Sequence, residues 1–339
     1  MEKHNKVTRQ GAPTETIGID LGDKISCYAI VDEMGNLMEE GKFRNQPESI
    51  RKHFGQGVPA RVALEVGSKS AWITRELKQL RHEVIVANAR QVKWITASDQ
   101  KNDRVDALKL ARLARVDTEL LAPVEHRSES QQAELSVIRA RDAVVRARAL
   151  LVNAARGMAK GLGHRLPKAI TKTFGVRTLK DLPAPLRPAL AGLLEQIDQL
   201  SATIHGYDEA IARLIERHPE VVRLKTISGV GPLTAMTFVL TLGSAERFTH
   251  SRDVAGYLGL RPRQKQSGVC DPQLGIAKSG DRYLRKLLVQ CAHHVLGCFG
   301  RDSALRRWGL VKSEGSKNAK KRAIVAVARK LAILLHVCG

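Results

Sequence analysis

Aromatic side chains are scarce in this chain of 339 residues, since Phe, Trp and Tyr make up only 4% of it. Splayed single-stranded bases are held mainly by stacking on aromatic rings, so we expect such stacking to play a minor part here. Long apolar runs are missing as well: no 18-residue uncharged stretch suggests a membrane span, and the first 15 residues lack the apolar core of a signal peptide. These absences predict a cytoplasmic protein without a membrane partner, whose residues 1–15 form a disordered tail.

Cysteine is also rare. The five cysteines are odd in number and none forms a CxxC pair; they are Cys27, Cys270, Cys291, Cys298 and Cys338. Neither a disulfide framework nor a zinc site fits this spacing, and reduced thiols are predicted.

Acidic residues are outnumbered. The chain has 56 Lys and Arg against 34 Asp and Glu, a net charge of +22. Ordinary solvated cations are one explanation, but the charge is uneven: residues 256–290 hold seven Lys and Arg against two Asp, and residues 301–339 hold ten against two acids. Such an excess repels itself unless a polyanion shares the surface, so the C-terminal third is predicted to bind nucleic acid, mainly through phosphates and with steep salt dependence.

The pattern over residues 16–126 predicts an α/β domain with a mixed or parallel sheet. A three-stranded meander is expected first, at residues 16–22, 25–31 and 37–43. Further elements are a helix at 48–54, a strand at 61–66, a helix at 69–80, a strand at 83–87 and a helix at 105–116.

Four carboxylates stand at the ends of these elements. Asp20 and Glu65 end predicted strands, and Asp103 and Asp106 lie three apart at a helix start, on one helical face. Helix capping is the simpler explanation for a single aspartate there. Four converging carboxylates would need a cation to offset their repulsion, and two Mg²⁺ ions about 4 Å apart would serve in phosphodiester chemistry. Asp23, Asp32 and Asp99 are competitors; the first two are interpreted as solvated loop acids.

Residues 127–218 are predicted to form an antiparallel helical hairpin or coiled coil. Its first helix carries an apolar stripe that includes Leu135, Ile138 and Val152, and its second covers about residues 188–217. Residues 161–187 are predicted as a connection. Such a hairpin serves dimerisation or acts as a spacer.

The last region, residues 219–339, begins with Gly229 and Gly231 between apolar helices. This spacing predicts a helix–hairpin–helix whose glycines let a DNA phosphate approach the backbone amides; a simple helix–turn–helix core is the alternative. Basic residues expected to contact nucleic acid follow it: Arg261, Arg263, Lys265, Lys278, Arg282 and Arg285.

Taken together, six segments resemble the DEDD-type insertion-sequence transposases with a C-terminal catalytic serine, a group of bridge-RNA-guided DNA recombinases. They are IGIDLG, ALEVG, KNDRVDALKLARL, ISGVGPLTA, GLRPRQKQSG and GIAKSGDRYLRKLLVQCA. The resemblance covers residues 16–297. It implies a ribonuclease H-like (RuvC-like) domain at 16–126, a helical coiled-coil region at 127–218 and a transposase domain at 219–339, with Asp20, Glu65, Asp103 and Asp106 as the acidic residues.

The resemblance also places the nucleophile at Ser267, in QKQSG. Attack on DNA would give a phosphoserine intermediate, with Arg261, Arg263 and Lys265 stabilising the charge. Ser279, in KSG, is the rival, although the family usually has a basic residue there. No His or Lys base is fixed by the sequence, so a composite site between domains or subunits is expected.

The prediction is therefore an RNA-guided transposase that binds donor and target DNA and a structured bridge RNA, uses Mg²⁺ and assembles as a dimer or tetramer in a bacterial or archaeal cytoplasm, near the nucleoid. A metal-dependent nuclease of the junction-resolvase kind is the first alternative. An actin-like ATPase is suggested by IGIDLG alone and lacks a second phosphate hairpin and an adenosine motif. A non-catalytic nucleic-acid-binding protein is the third; the intact acidic set argues against it.

Overall fold

The computed structural model describes residues 14–88, 102–168, 173–180, 182–264, 272 and 274–339. Most of the predicted N-terminal tail lies outside these residues. The chain divides into two compact units, residues 1–126 and 127–339. We call them the acidic unit and the basic unit.

A five-stranded mixed sheet forms the centre of the acidic unit. Its strands are β1 Thr16–Asp20, β2 Ile25–Val31, β3 Leu37–Arg44, β4 Arg61–Glu65 and β5 Glu83–Ala87. Their order across the sheet is β3-β2-β1-β4-β5. The first three strands form an antiparallel meander, and β4 and β5 run parallel to β1. The strand bounds agree with the sequence prediction to within two residues.

Helices cover both faces of this sheet. They are α1 Pro47–Phe54, α2 Ser70–Gln79 and α3 Asp103–Val116. Helices α1 and α2 pack on one face of the sheet. There Ile19 and Leu64 of the strands share a buried cluster with side chains of both helices. Helix α3 lies on the other face, where Ala63 shares a buried cluster with Leu110 and Ala114.

One glycine allows α3 to come close to the sheet. A Cβ atom at Gly18, in β1, would lie 1.9 Å from the carbonyl oxygen of Ala107 and 2.5 Å from the amide nitrogen of Ala111. Because both neighbours are backbone atoms of α3, no side-chain rotation can relieve such a contact. The absence of a side chain at Gly18 therefore sets the distance between α3 and β1.

Helices make up most of the described residues of the basic unit. Its helices are α4 Glu129–Gly161, α5 Phe174–Lys180, α6 Arg187–Glu216, α7 Pro219–Leu224, α8 Pro232–Leu242, α9 Ser251–Tyr257, α10 Arg282–Leu296, α11 Ala304–Ser313 and α12 Lys317–Cys338. Short 3-10 turns lie at Ala184–Leu186 and Ala245–Arg247.

Helices α4 and α6 form the predicted antiparallel hairpin. Arg141 pairs with Asp208 at 2.5 Å, and further along Arg148 donates to Ser201 Oγ at 3.0 Å, so the two helices run in opposite directions. Residues 161–187, predicted as a connection between the two helices, contain the short helix α5. Phe174 of α5 is fully buried against the hairpin, which explains why a seven-residue helix forms there without a detectable period.

The base of the hairpin shares a core with the C-terminal helices. Leu135 and Ile138 of α4 and Ile211 of α6 belong to the same buried cluster as Met236 of α8 and Leu331 of α12. The structure therefore places the predicted hairpin and the predicted C-terminal domain in one unit. Among the described helices, none is both long and apolar enough to cross a bilayer.

The described cysteines are all free thiols. Cys27 and Cys291 are buried, whereas Cys298 and Cys338 are exposed. This agrees with the predicted absence of disulfides within the described part of the chain.

Candidate active site

Asp20 and Glu65 lie at the same edge and on the same face of the sheet. They are the last residues of β1 and β4, which are parallel neighbours. Alternate residues of a strand point to opposite faces, so Asp20 shares the α3 face with Gly18, and Glu65 shares it with Ala63. Both carboxylates are half-buried. The register alone thus brings two distant acids to one place.

Helix α3 carries the other two carboxylates to that edge. The Arg61 guanidinium, at the start of β4, donates to the carbonyl oxygen of Ala114 at 3.3 Å, so the C-terminal end of α3 lies at the opposite edge. Its first turn therefore lies beside the carboxyl ends of β1 and β4. Asn102 caps the helix by accepting from the Arg104 amide at 3.1 Å, which fixes the start of α3 at Asp103.

The pKa of the Cys27 thiol is affected by acidic side chains near this edge. Cys27 is paired with Asp20 across β1 and β2 and packs against Ala107 of α3. Burial raises the pKa of the Cys27 thiol, and the negative charges of Asp103 and Asp20 raise it further, against the opposing effect of Lys42 and Arg104. Asp20 and Asp103 therefore act electrostatically on the same buried group.

Asp106 has the most unusual surroundings of the four. Its side chain is 13% exposed, and its Oδ1 atom is buried without a hydrogen-bond partner in the described structure. The Lys109 ammonium, at 3.6 Å, offers an ion pair but no hydrogen bond. A buried carboxylate oxygen without a donor is costly, and a bound cation would satisfy it.

The unpartnered Oδ1 atom of Asp106 indicates whether these residues suit a metal ion. Carboxylate oxygens are the ligands preferred by hard divalent cations, and the set Asp20, Glu65, Asp103 and Asp106 offers only these. In the described structure no three Asp, Glu, His or Cys side chains stand close enough to enclose an ion. The residues fit a divalent ion by chemistry and by the edge that they share.

The competing acids have other partners. Asp23 is 90% exposed at its side chain and pairs with Lys69 at 2.8 Å, a hydrogen bond that lowers the pKa of Asp23. Asp32 accepts from the amides of Met34 and Asn36, both at 2.8 Å, and stabilises the β2–β3 turn. Asp99 lies outside the described residues. The first two are loop acids, as the sequence indicates.

The glycine hairpin of the basic unit is built between α7 and α8. Gly229 has φ of +85°, and a Cβ there would lie 2.6 Å from Val295 of α10. Gly231 caps α8, and its amide lies within hydrogen-bonding reach of the Cys291 thiol. The contact with Val295 gives Gly229 a packing role, whereas a Cβ at Gly231 would meet no atom within 4 Å, and a phosphate contact stays a prediction for both.

Two short segments that are paired by backbone hydrogen bonds flank the predicted nucleophile. Pro262 pairs with Ile276, Arg263 N donates to Gly275 O at 3.0 Å, and Ala277 N donates to Arg261 O at 2.9 Å. We call residues 258–263 and 275–280 the ribbon. Arg261, Arg263 and Lys278 are exposed on the ribbon. Ser267 and Lys265 lie between its two segments in sequence, outside the described residues.

The rival serine lies in a tight turn at the end of the ribbon. Ser279 is half-buried, and its hydroxyl lies 3.5 Å from the carbonyl oxygen of Gly256. Lys278 before it and Gly280 after it both have positive φ. This backbone is held by surrounding contacts and gives Ser279 a structural role.

Arg285 differs from the other predicted nucleic-acid contacts. It is half-buried, and its guanidinium donates to the carbonyls of Leu258 at 2.8 Å, Ser279 at 2.5 Å and Lys278 at 3.1 Å. It therefore ties α10 to both segments of the ribbon. Arg282, one turn earlier, is exposed. Its side chain is free of this structural task.

Sequence inspection overlooked Gly18 and the structural use of Arg285. The segment IGID does carry a signal for Gly18, since a glycine inside a buried strand marks close approach of another backbone. No local pattern distinguishes Arg285 from Arg282, because its three acceptors come from residues 6 to 27 positions away.

Two family models match this chain. Residues 17–163 match the DEDD model of IS110-type proteins, described as "Transposase", and residues 221–306 match a model described as "Transposase IS116/IS110/IS902 family". A probable family 20 transposase of Pseudomonas aeruginosa is 30% identical over 320 residues, covering 92% of each chain. The transposase for insertion sequence element IS1328 of Yersinia enterocolitica is 30% identical over 327 residues, covering 95% of each. A pilin gene-inverting protein of Moraxella bovis is 33% identical over 142 residues, 40% of this chain and 43% of its own.

The matched family models and the named relatives show that the chain is an enzyme that acts on DNA. The chain belongs to the IS110/IS116 family of insertion-sequence transposases. Its DEDD domain implies the use of divalent metal ions.

Proposed function

We propose that this transposase is a site-specific recombinase that cuts and rejoins DNA through a covalent bond to Ser267, assisted by divalent ions at Asp20, Glu65, Asp103 and Asp106. The observation that supports it best is the shared edge of these carboxylates, with the orphaned Oδ1 of Asp106 among them. The meander joined to two parallel strands supports the ribonuclease H-like (RuvC-like) fold expected from the sequence.

In this proposal Asp20 and Glu65 hold Mg²⁺ from rigid strands, and Asp103 and Asp106 hold it from the first turn of α3. A bound ion would neutralise charge that develops on the phosphate during strand transfer. Gly18 positions the helix, and Asn102 fixes where it begins. The positions of Asp103 and Asp106 therefore depend on the close packing at Gly18 and on the helix cap at Asn102.

The covalent step keeps the number of phosphoester bonds constant. The Ser267 Oγ forms a bond to phosphorus while the bond to a deoxyribose oxygen breaks. The serine hydroxyl gives up its proton and the departing sugar oxygen gains one. Attack by another DNA hydroxyl reverses the step on a new strand, so rejoining needs no nucleotide cofactor. Arg261 and Arg263, exposed on the ribbon, supply positive charge close in sequence to Ser267.

Guidance by a structured bridge RNA is the further part of the proposal. It is supported by the net charge of +22 and by the small aromatic content, which favour contact with phosphates over stacking on bases. A relative named for inverting a pilin gene supports rearrangement at defined sites. Action as a dimer or tetramer, and association with the nucleoid, belong to the same proposal.

Trapping of the covalent intermediate tests the mechanism. Wild-type protein and DNA carrying the element ends should give an adduct that resists denaturant and disappears in Ser267→Ala. Ser279→Ala, changed in the structural turn, is the matched control and should retain the adduct. An adduct that survives Ser267→Ala contradicts the serine mechanism, and cleavage without any adduct would favour the resolvase-like nuclease.

The acidic site is tested by Asp20→Asn and Glu65→Gln, with Asp23→Asn as the control. The first two should lose strand cleavage while binding DNA normally, and the control should cleave as the wild type does. Undiminished cleavage by Asp20→Asn, or by the wild type in excess EDTA, contradicts the metal site.

RNA guidance is tested by sequencing the RNA that copurifies with the protein. Ribonuclease treatment should abolish recombination, and adding back the recovered RNA should restore it. Recombination that continues after complete RNA removal refutes guidance while leaving the serine mechanism open.

A further inference from the structure

The hairpin formed by α4 and α6 is strongly polarised in charge. Residues 143–194, at the end where the two helices are connected, contain ten Lys and Arg and a single acid, Asp181. Residues 129–142 and 195–216, where the helices join the core of the unit, contain three Arg and eight acids. We call the first part the tip and the second the base. Solvated charges scattered at random would not separate in this way along one hairpin.

The tip is a folded structure with its own core. Val152 and Ala155 of α4, Phe174 of α5 and Leu190 of α6 belong to a buried cluster separate from that of the base. Helix α4 ends in a Schellman motif, in which the His164 amide donates to Ala159 O at 2.9 Å and Gly163 has φ of +78°. The described basic side chains at Arg156, Lys160 and Arg165 therefore lie on or next to a helix that packs on this core.

Five basic residues line one open cavity of about 840 Å³ at the tip. They are Arg156, Lys160, His164, Arg165 and Lys168. Within the described residues no acid lines this cavity, and none pairs with Lys160, Arg165 or Lys168. Four of the five are exposed, and His164 is half-buried. A bound anion would offset the mutual repulsion of Lys160, Arg165 and Lys168.

The tip lies far from the ribbon within the same unit. Arg139, near the base, pairs with Asp281 at the start of α10, next to the ribbon, at 3.2 Å. Lys160 follows Arg139 by 21 residues on one continuous helix, a distance of about 31 Å along the axis. Contacts made at the tip therefore lie about 31 Å from the end of the hairpin that adjoins the ribbon.

We infer that the hairpin tip is a second polynucleotide-binding site, which holds the phosphate backbone of a double-helical nucleic acid. Exposed cations in a concave surface suit phosphates, and the aromatic ring of the tip that the structure describes, Phe174, is fully buried and cannot stack on a base. The inference deepens the proposed function, because it assumes that the chain binds polynucleotides, and assigns the tip to backbone contact outside the reaction site.

Binding measurements with the full-length protein test this inference. The tip variant is Lys160→Gln with Arg165→Gln. The matched control is Arg146→Gln with Arg213→Gln, which removes the same charge from the hairpin but outside the cavity: Arg146 lies at the end of the tip next to the base, and Arg213 lies in the base. Probes are a DNA duplex and an RNA duplex of equal length and unrelated sequence, titrated at several salt concentrations.

The tip variant should bind one or both duplexes about tenfold more weakly at low salt and lose about two units of salt slope, roughly 0.9 per phosphate contact. The control should stay within about twofold of the wild type, since its arginines lie near acids. A loss confined to one probe identifies the tip ligand as DNA or RNA.

Equal losses in both variants would reveal a general effect of net charge and overturn the inference, as would unchanged binding by the tip variant. A changed oligomeric state with unchanged duplex binding would instead assign the tip to contact between copies. This test measures duplex binding, whereas the proposed function is tested by the covalent adduct. If the wild-type protein forms no Ser267 adduct, the proposed function fails but the binding result at the tip still stands. If the tip variant binds as the wild type does, this inference fails but the adduct result still stands.

Discussion

The acidic edge of the sheet and the basic surface of the helical unit follow different rules of placement. At the edge, Asp20, Glu65 and Asp106 are held half-buried by strand register and by one helix packed on a glycine. On the basic unit, Arg261, Arg263 and Lys160 are exposed and form no ion pair with the described acids.

The difference reflects the ligands that each surface suits. A small divalent ion needs several oxygens at defined positions, and the carboxylates must be oriented before it binds. A polynucleotide backbone offers a phosphate every few ångströms, so a cation needs only to be near its surface. Changes at the edge should therefore have large effects that depend on position, and changes to exposed cations should have small effects that depend on salt.

The largest effect is expected from Asp106→Asn. Loss of this ligand should reduce DNA strand cleavage by about 10²–10³-fold, or roughly 3–4 kcal/mol of transition-state stabilisation. Without metal the variant should be at least as stable as the wild type, because a buried oxygen without a donor no longer carries charge. Thermal unfolding with and without Mg²⁺ checks this: Mg²⁺ should raise the Tm of the wild type and of Asp23→Asn more than that of Asp106→Asn. Equal shifts would remove Asp106 from the metal site.

Next in size is Gly18→Val. The new side chain would collide with the backbone of α3, so we expect a loss of about 3 kcal/mol in the free energy of unfolding of the acidic unit. Cleavage should fall with it, since Asp103 and Asp106 move with α3. Gly57→Val is the control, because a Cβ at Gly57 meets no atom within 4 Å. Similar denaturation midpoints for both variants would show that α3 is not held by the contact at Gly18.

Arg285→Met tests the one predicted phosphate contact that has fixed partners. Three carbonyl oxygens lose a charged donor, and we expect a cost of about 2 kcal/mol in the stability of the basic unit. Arg282→Met removes the same charge from an exposed position and should leave stability unchanged while weakening DNA binding. If Arg285→Met is as stable as the wild type, the three hydrogen bonds do not stabilise the unit, and Arg285 is better explained as a nucleic-acid contact like Arg282.

His218 offers a smaller, pH-dependent effect. Its ring nitrogens contact Glu220 at 2.9 Å and Glu134 at 2.8 Å. Burial alone would lower the pKa of His218, but the hydrogen bonds and charges of these two carboxylates raise it above its usual value. The resulting stabilisation is complete below a pH of about 6.5, the unfolded value, and is lost as the pH rises through the folded pKa.

Urea unfolding of His218→Gln should therefore show a loss of about 1 kcal/mol at pH 6 that shrinks at pH 9. His205→Gln is the matched control, since His205 is 66% exposed and meets Glu209 at 3.5 Å. A loss that grows with pH would mean that the neutral imidazole is the stabilising form.

The smallest effects are expected from Arg261→Gln and Arg263→Gln. Each should leave the Tm unchanged, weaken DNA binding a few-fold and reduce the salt slope by about 0.9. Arg213→Gln, within the acid-rich base of the hairpin, should change neither quantity. A large loss that is independent of salt would show that these arginines are positioned as strictly as the carboxylates.

Much of the acidic unit could be predicted from local pattern. Alternating apolar residues predict β1, β2 and β4, and the positions of Asp20 and Glu65 at strand ends follow directly from the same runs. The helix predicted at 105–116 begins two residues earlier, at Asp103, because Asn102 caps it. Helix α5 could not be predicted, since seven residues form a helix only where Phe174 is buried by other elements.

By itself the sequence determined the composition of the two surfaces: which residues carry charge, which segments are apolar and with what period, and hence which elements form. Only the tertiary structure decided what those charges do. Strand register and the close approach at Gly18 place four carboxylates from three elements at one edge of the sheet. Arg285, in contrast, is half-buried because its guanidinium donates to three carbonyl oxygens of the ribbon. Local periodicity records burial and helix or strand geometry, but convergence depends on contacts between residues far apart in the chain.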